Sequence, residues 1–285
     1  MTNTTVGILH PGQMGISIAA SVQNGGHPVY WASSGRSAGS RTRAEQHGLR
    51  DAGTLAELCA ACSVVISVCP PAAAEELAQE VLAHGFTGLY VDANAISPQR
   101  AERIAAAVRR GGARFVDGSI IGPPAWKPGT TWLYLSGPDA EEAAALFAAG
   151  PAQAIALGAE IGRASALKMV YAAYTKGSTA LLAASLGAAD ALGVRGDLTE
   201  QWQREGSGMD ENAPRRARGV TAKAWRFVGE MEEIAATFEE AGLPGGFHAA
   251  AADVYRRLAR FKGATETPPL EDVLAALQDE SADGL

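Results

Sequence analysis

Lys168, Tyr171 and Thr175 are spaced by three and then four residues, so they share one face of a helix. An amine, a phenol and a hydroxyl on the face of an otherwise apolar helix make a polar pocket. Burial there lowers a lysine pKa towards the range useful for proton exchange. The competing reading is a surface lysine whose stem lies along the helix while its amine stays in water. A second chemical signal stands at the other end of the chain, in His10-Pro11-Gly12-Gln13-Met14-Gly15. A glycine turn that follows a strand and opens a helix binds a dinucleotide pyrophosphate, because the helix N-terminus offers free N–H groups and a positive dipole end. Gly12 lets the backbone approach the phosphates, and Gly15 lets helix and strand pack closely. His10 takes the place of the usual first glycine.

The segment that positions this turn runs from Thr4 to Arg36. Val6, Ile8 and Leu9 predict a strand. Met14, Ile18, Ala19 and Val22 recur at helical spacing, Gly25-Gly26 end that helix, and Val29-Tyr30-Trp31 predict the next strand. A polar loop follows, with Ser33, Ser34, Arg36 and Ser37, and with Arg41 and Arg43 beyond. No acid stands after Trp31 to hold a ribose 2′-hydroxyl; the first is Glu45. Hydroxyls and an arginine suit a 2′-phosphate instead, which points to NADP rather than NAD. The alternative is that these arginines are solvated surface residues.

Strand and helix signals alternate as far as residue 161. Strands are predicted at Val64–Val68, Leu89–Val91, Phe115–Asp117, Trp132–Leu135 and Ala154–Leu157. Helices are predicted at Leu55–Leu58, 72–83, from Ser97-Pro98 to Gly111, and at 140–149. The residues from Gly118 to Pro124 read as a loop. The pattern predicts a doubly wound, mostly parallel Rossmann sheet, whose ligands collect at the carboxyl ends of the strands. That places Cys69, Pro70, Asn94 and Ser119 beside cofactor or substrate. From residue 162 helical signals replace strand signals, which predicts an α/β chain with a nucleotide-binding domain over 1–161 and an all-α domain over 162–285. The second half reads as a helix over 164–192, a loop with a short helix over 196–208, and helices over 222–241, 247–261 and 270–277. Arg215, Arg216 and Arg218 read as a solvated face or as contacts to phosphate or carboxylate. Asp279 to Leu285 read as a frayed acidic tail.

The chain has 285 residues, 47% of them hydrophobic, which suffices for two cores. A net charge of −7 argues against nucleic acid or an anionic membrane surface as partner. No segment reads as a signal peptide or a spanning helix. Cys59 and Cys62 form a C-x-x-C, but no second pair or histidine cluster accompanies them. With Cys69 they read as core or boundary residues, no metal is expected, and a reducing cytoplasm is the expected location.

The order of these parts resembles the β-hydroxyacid dehydrogenase and 6-phosphogluconate dehydrogenase superfamily over nearly the whole chain. Gly7 to Gly15 looks like its glycine-rich opening, with His10-Pro11 in place of Gly-Leu. Asp92-Ala93-Asn94-Ala95-Ile96-Ser97-Pro98 resembles its strand-end motif. Asp117-Gly118-Ser119-Ile120-Ile121-Gly122-Pro123 falls on its substrate loop, and Gly162 to Lys168 on the segment that carries its catalytic lysine. The helical stretch from Trp225 to Pro244 resembles a subgroup whose C-terminal domain has no assigned function. Five further positions depart from the pattern. The substrate-loop serine falls on Ile121 and a glycine on Pro123. The asparagine after the lysine falls on Ala172, and a later lysine–aspartate pair falls near Gly229 and Glu230.

The resemblance implies hydride transfer between NADP(H) and a small hydroxy or keto substrate. Lys168 would be the proton donor or acceptor, with Ser119, Gly122, Tyr171 and Thr175 as substrate contacts. The cofactor contacts would be His10, Pro11, Gly12, Gln13, Met14, Ser33, Ser34, Arg36, Cys69, Pro70 and Asn94. Imine reduction on the same fold is one rival, kept open by Tyr171 and the altered substrate loop. A catalytically silent NADP-binding protein is another, favoured by Ile121, Ala172 and Gly229. A surplus of apolar helix faces in the second half, together with the resemblance, predicts a homodimer.

Overall fold

A computed structural model of the chain describes residues 4–279, so the acidic tail beyond Asp279 lies outside the described residues. The chain forms two compact units, Met1–Met169 and Val170–Leu285. In the first, strands and helices alternate: β1 (Val6–Ile8), α1 (Gln13–Asn24), β2 (Val29–Trp31), α2 (Ala38–Gln46), β3 (Arg50–Asp51), α3 (Leu55–Ala61), β4 (Val64–Ser67), α4 (Ala74–Ala83), β5 (Leu89–Asp92), α5 (Pro98–Arg110), β6 (Arg114–Ile121), β7 (Trp132–Ser136), α6 (Ala140–Ala145) and β8 (Gln153–Ala156). Helix α7 (Arg163–Ala191) follows. The second unit continues with α8 (Arg195–Glu205), α9 (Met209–Gly219), α10 (Ala224–Glu240), α11 (Gly246–Leu258) and α12 (Leu270–Gln278).

The eight strands form one sheet in the order β3-β2-β1-β4-β5-β6-β7-β8. All pairs are parallel except β6 with β7, which run antiparallel. Strand residues alternate between two cores, as a sheet covered on both faces requires. Val6, Ile8, Val64, Ile66, Leu89, Val91 and Val116 join Ile16, Ile18 and Val22 of α1 on one face. Val65, Tyr90 and Phe115 join Leu58, Leu77, Val81, Ile104 and Val108 of α3, α4 and α5 on the other.

In the second unit, the part of α7 that begins at Val170 is held by α9 to α12. Arg216 donates to Ser178 Oγ (2.8 Å) and Thr179 Oγ1 (2.6 Å), and Tyr255 Oη donates to the Lys176 carbonyl (2.7 Å). Lys176 is ion-paired with Glu230 and lies over the Phe227 ring. Gly177 packs against Phe247, and a Cβ there would come within 3.1 Å of that ring.

Several expectations need correction. The polar segment after Trp31 is not all loop: Ala38–Gln46 is a helix, capped by Ser37 Oγ accepting from the Ser40 N–H. Residues Gly118 to Ile121 continue β6 instead of forming a loop. The segment over 196–208 is mainly the helix α8. Arg216 and Arg218 are half-buried and bonded within their unit, so only Arg215 keeps to the solvated face.

Candidate functional site

The strand ends carry a buried polar row. Ser67 on β4 is the register partner of Asp92 on β5, Asp92 that of Asp117 on β6, and Asp117 that of Ser136 on β7. All four are fully buried. Burial, ahead of the nearby carboxylate of Asp117, pushes the Asp92 carboxyl up to about 7 against the bond it accepts from the Asn94 N–H (3.0 Å).

The raised value has a stability consequence with a definite sign. Proton binding favours the folded state most at low pH, and that stability is lost as pH rises from about 4 through about 7. Asp92→Asn removes the titration. We therefore expect the variant to be more stable than the parent at roughly pH 9, by about 2–4 kcal/mol, and to lose the advantage as pH falls to roughly 4. Calorimetric melting across this range checks it, and equal gaps at both ends would refute it.

Asp117 is the anchor of the site. Its Oδ1 accepts from Ser165 Oγ (2.6 Å), and its Oδ2 accepts from the Ser165 N–H and from Ser136 Oγ (both 3.0 Å). Ser136 Oγ in turn accepts from the Ala164 N–H (3.0 Å). Two N–H groups of the first turn of α7 are thus satisfied by side chains of β6 and β7. A carboxyl group also stands at the positive end of the helix dipole. Burial holds the Asp117 pKa above the usual carboxylate range, although the bonds from Ser165 and Ser136 oppose it.

Lys168 follows Ser165 by about one turn. Its Nζ donates to the Ile120 carbonyl of β6 (2.7 Å), and burial pulls its amine down to about 8. It is therefore not a lysine extended into water. Next to Ile120 on β6, Ser119 is fully buried and its hydroxyl has no hydrogen-bond partner among the described residues. Gly122 is exposed at φ +123°, and a Cβ there would lie 2.3 Å from the Thr130 carbonyl oxygen. That contact is a backbone reason for the glycine. Thr175 Oγ1 donates to the Tyr171 carbonyl (3.2 Å), and the Tyr171 side chain is exposed.

At the amino-terminal turn, Gly12 precedes α1 with an extended backbone and no side-chain cap, and no acid stands in the first turn. A Cβ at Gly12 would meet nothing within 4 Å, whereas one at Gly15 would lie 2.0 Å from the His10 carbonyl oxygen. Open space at one glycine and none at the other fit a turn that receives a phosphate while packed on its own strand. Pro11 is buried and its carbonyl accepts from Arg43 Nε (2.9 Å); Gln13 is exposed and Met14 half-buried. Ser33 is buried, and its carbonyl accepts from Arg41 (2.8 Å), while Ser34 is exposed. Arg36 Nη1 donates to His10 Nε2 (2.6 Å). Asn94 braces two loops: its Oδ1 accepts from the Cys69 N–H (2.6 Å) and its Nδ2 donates to Ser67 Oγ (3.0 Å). Pro70 is exposed.

Two residues given no site role in the sequence reading belong here. Asp117 was visible only as a motif letter; its signal is a polar residue within an apolar strand, repeated at Ser67, Asp92 and Ser136. Asp51 comes from β3, which the sequence does not announce, and bonds to the Gly53 N–H (2.8 Å) and to Ser33. An acid thus does stand near the end of β2, although none follows Trp31. The segment after β6 also touches α1: the Ala125 N–H donates to Ser17 Oγ (2.9 Å), and Thr131 Oγ1 donates to the Pro123 carbonyl (2.7 Å). Trp126 stacks on His47, at the C-terminus of α2, with centroids 5.0 Å apart. Among the described residues, no group of three His, Cys, Asp or Glu side chains could hold a metal ion. No helix there is long and apolar enough to cross a membrane.

The family model for the NAD binding domain of 6-phosphogluconate dehydrogenase matches residues 5–153. The chain belongs to this family. A second model, a domain of unknown function (DUF1932), matches residues 189–258. This 6-phosphogluconate dehydrogenase-type chain is similar to the conserved protein MTH1747 of unknown function, whose structure is described as similar to 3-hydroxyacid dehydrogenases. That match has 30% identity and a TM-score of 0.66, over 89% of this chain and 97% of that one. A Mycobacterium tuberculosis 3-hydroxyisobutyrate dehydrogenase solved with L-serine shares the fold at 19% identity, with a TM-score of 0.68 over 97% and 99% of the two chains. A Streptomyces aurantiacus imine reductase shares it at 20% identity, with a TM-score of 0.54 over 96% and 100%. No curated protein matches the sequence. Family and neighbours together indicate a nicotinamide-binding oxidoreductase of the dehydrogenase/reductase type.

Proposed function

We propose that the chain is an NADP(H)-dependent oxidoreductase acting on a small hydroxy or keto compound, with Lys168 as the proton-exchanging group. The observation that carries this reading is the amine of Lys168, held on the Ile120 carbonyl at the end of β6 with its pKa near 8. The nicotinamide supplies the hydride acceptor or donor. In oxidation, Lys168 Nζ takes the hydroxyl proton as the carbonyl forms; in reduction it returns a proton to the new hydroxyl. The unpartnered Ser119 hydroxyl is suited to fix the reacting oxygen, with Tyr171 and Thr175 as further candidate contacts.

Gly12, Gln13 and Met14 at the start of α1 would hold the pyrophosphate. Ser33, Ser34 and Arg36 would hold the ribose end. Arg36 supports NADP over NAD, because Asp51 is already engaged by Gly53 and Ser33. Cys59, Cys62 and Cys69 are free thiols, which suits a reducing cytoplasm.

Imine reduction is the second reading. It is favoured by the buried Ile121, where the family's loop has a serine, and by the exposed phenol of Tyr171. A panel of hydroxy acids, aldehydes, keto acids and cyclic imines, assayed with NADPH and NADH, separates the readings. We expect carbonyl or alcohol turnover with NADPH. Turnover of imines alone would select the rival, and NADPH binding without turnover of any class would leave a silent binding protein.

Val170, Tyr171, Tyr174 and Leu181 are exposed along α7, Tyr174 at 79%. Such an apolar face supports a homodimer. Light scattering at micromolar protein should give twice the 29.4 kDa chain mass, and a monomer would count against it.

A further inference from the structure

His10 occupies the position at which the nucleotide-binding turn commonly carries its first glycine. Its backbone does not need the glycine, since every positive φ among the described residues belongs to a true glycine. The side chain therefore has its own role to explain. Arg36 Nη1 lies 2.6 Å from His10 Nε2. A guanidinium has only donors, so His10 Nε2 accepts and the ring proton sits on Nδ1. Burial, then the charge of Arg36, pulls the imidazole down to about 4, so the ring is neutral and able to accept.

Two donors are left over. His10 Nδ1 and Arg36 Nε are both buried without a partner. An unsatisfied buried donor costs about 1–3 kcal/mol, so a pair of them in one cluster asks for an acceptor. The pair links the turn after β1 to the loop after β2, which are the two segments expected to meet the pyrophosphate and the ribose.

Resting on the NADP reading above, we propose that His10 is a positioning residue for cofactor choice. By holding Nη1 of Arg36, it leaves the Nε–Nη2 edge of the guanidinium as the fork that takes a 2′-phosphate. A planar fork held at one corner loses less freedom on binding than a free arginine, and bidentate phosphate contact depends on its orientation. His10 thus acts through Arg36, and its effect falls on NADP rather than on dinucleotides in general.

Titration calorimetry of NADP+ and NAD+ against the parent, His10→Gly, His10→Ala and His10→Gln tests this without any turnover. We expect the parent to prefer NADP+. His10→Gly and His10→Ala should weaken NADP+ about tenfold while changing NAD+ less than about twofold. His10→Gln, which keeps an acceptor, should recover most of the loss. Use of both small residues guards against a turn loosened by glycine alone, and thermal melts confirm folding. Equal weakening of NADP+ and NAD+, or no recovery with glutamine, would overturn the positioning role while leaving the NADP reading intact. A parent with no preference for NADP+ would overturn both.

Discussion

Lys168→Ala loses turnover by about three orders of magnitude, within the range of a removed general acid–base, while the dissociation constant for NADPH stays within about twofold. The split follows from where the amine stands. Lys168 is tied to the Ile120 carbonyl on β6, whereas the proposed phosphate contacts lie on the turn after β1 and the loop after β2. The parent carries a second signature. With the amine pulled down to about 8 by burial, the neutral form needed to accept a proton accumulates as pH rises through that value. Oxidation should therefore speed up through this range and reduction should slow. Lys168→Arg, whose side chain stays charged, should leave no such inflection. Stopped-flow and steady-state rates across pH, with NADPH titrated by fluorescence, measure all three. Near-normal turnover in the alanine variant would remove Lys168 from the chemistry.

The second large effect is at Asp117. Alanine there strands the Ser165 hydroxyl, the Ser165 N–H and the Ser136 hydroxyl in a buried place. The expected loss is about 3–5 kcal/mol of stability, since each unsatisfied donor costs about 1–3 kcal/mol. Asparagine keeps one acceptor oxygen for two of these donors, and its amide can donate to Ser165 Oγ. It should cost only about 1 kcal/mol. Activity should follow the same order, because α7 loses the cap that fixes its first turn and hence the angle at which Lys168 leaves it. Urea unfolding of both variants, with kcat measured where each is folded, is the check. Equal losses for alanine and asparagine would mean that the hydrogen bonds described here do not hold the helix.

Much of this could be read from residue order, and the failures have physical causes. The opening β1–α1–β2 segment and the long helix α7 announce themselves through apolar spacing and glycine stops. Helix α2 does not, because only Ala44 among its nine residues is buried and no apolar face exists to detect. It is instead started by Ser37. The far half of β6 was hidden by Gly118, which reads as a turn. In the sheet that glycine serves close packing, since a Cβ would come within 2.9 Å of the Asp92 carbonyl oxygen. The row Ser67, Asp92, Asp117 and Ser136 depends on strand register, which no single segment contains. Arg216 looked solvated because its partners, Ser178 and Thr179, lie far away in sequence on another helix.

The reversal of β7 against β6 lets a short connection stand in for a crossover helix. That connection pins Ala125 to Ser17 on α1 and stacks Trp126 on His47. An indole placed at this junction is a natural optical probe. An emission change on adding dinucleotide that Trp126→Phe removes, leaving the other four tryptophans in place, would report engagement of the neighbouring helix with no label attached to the protein.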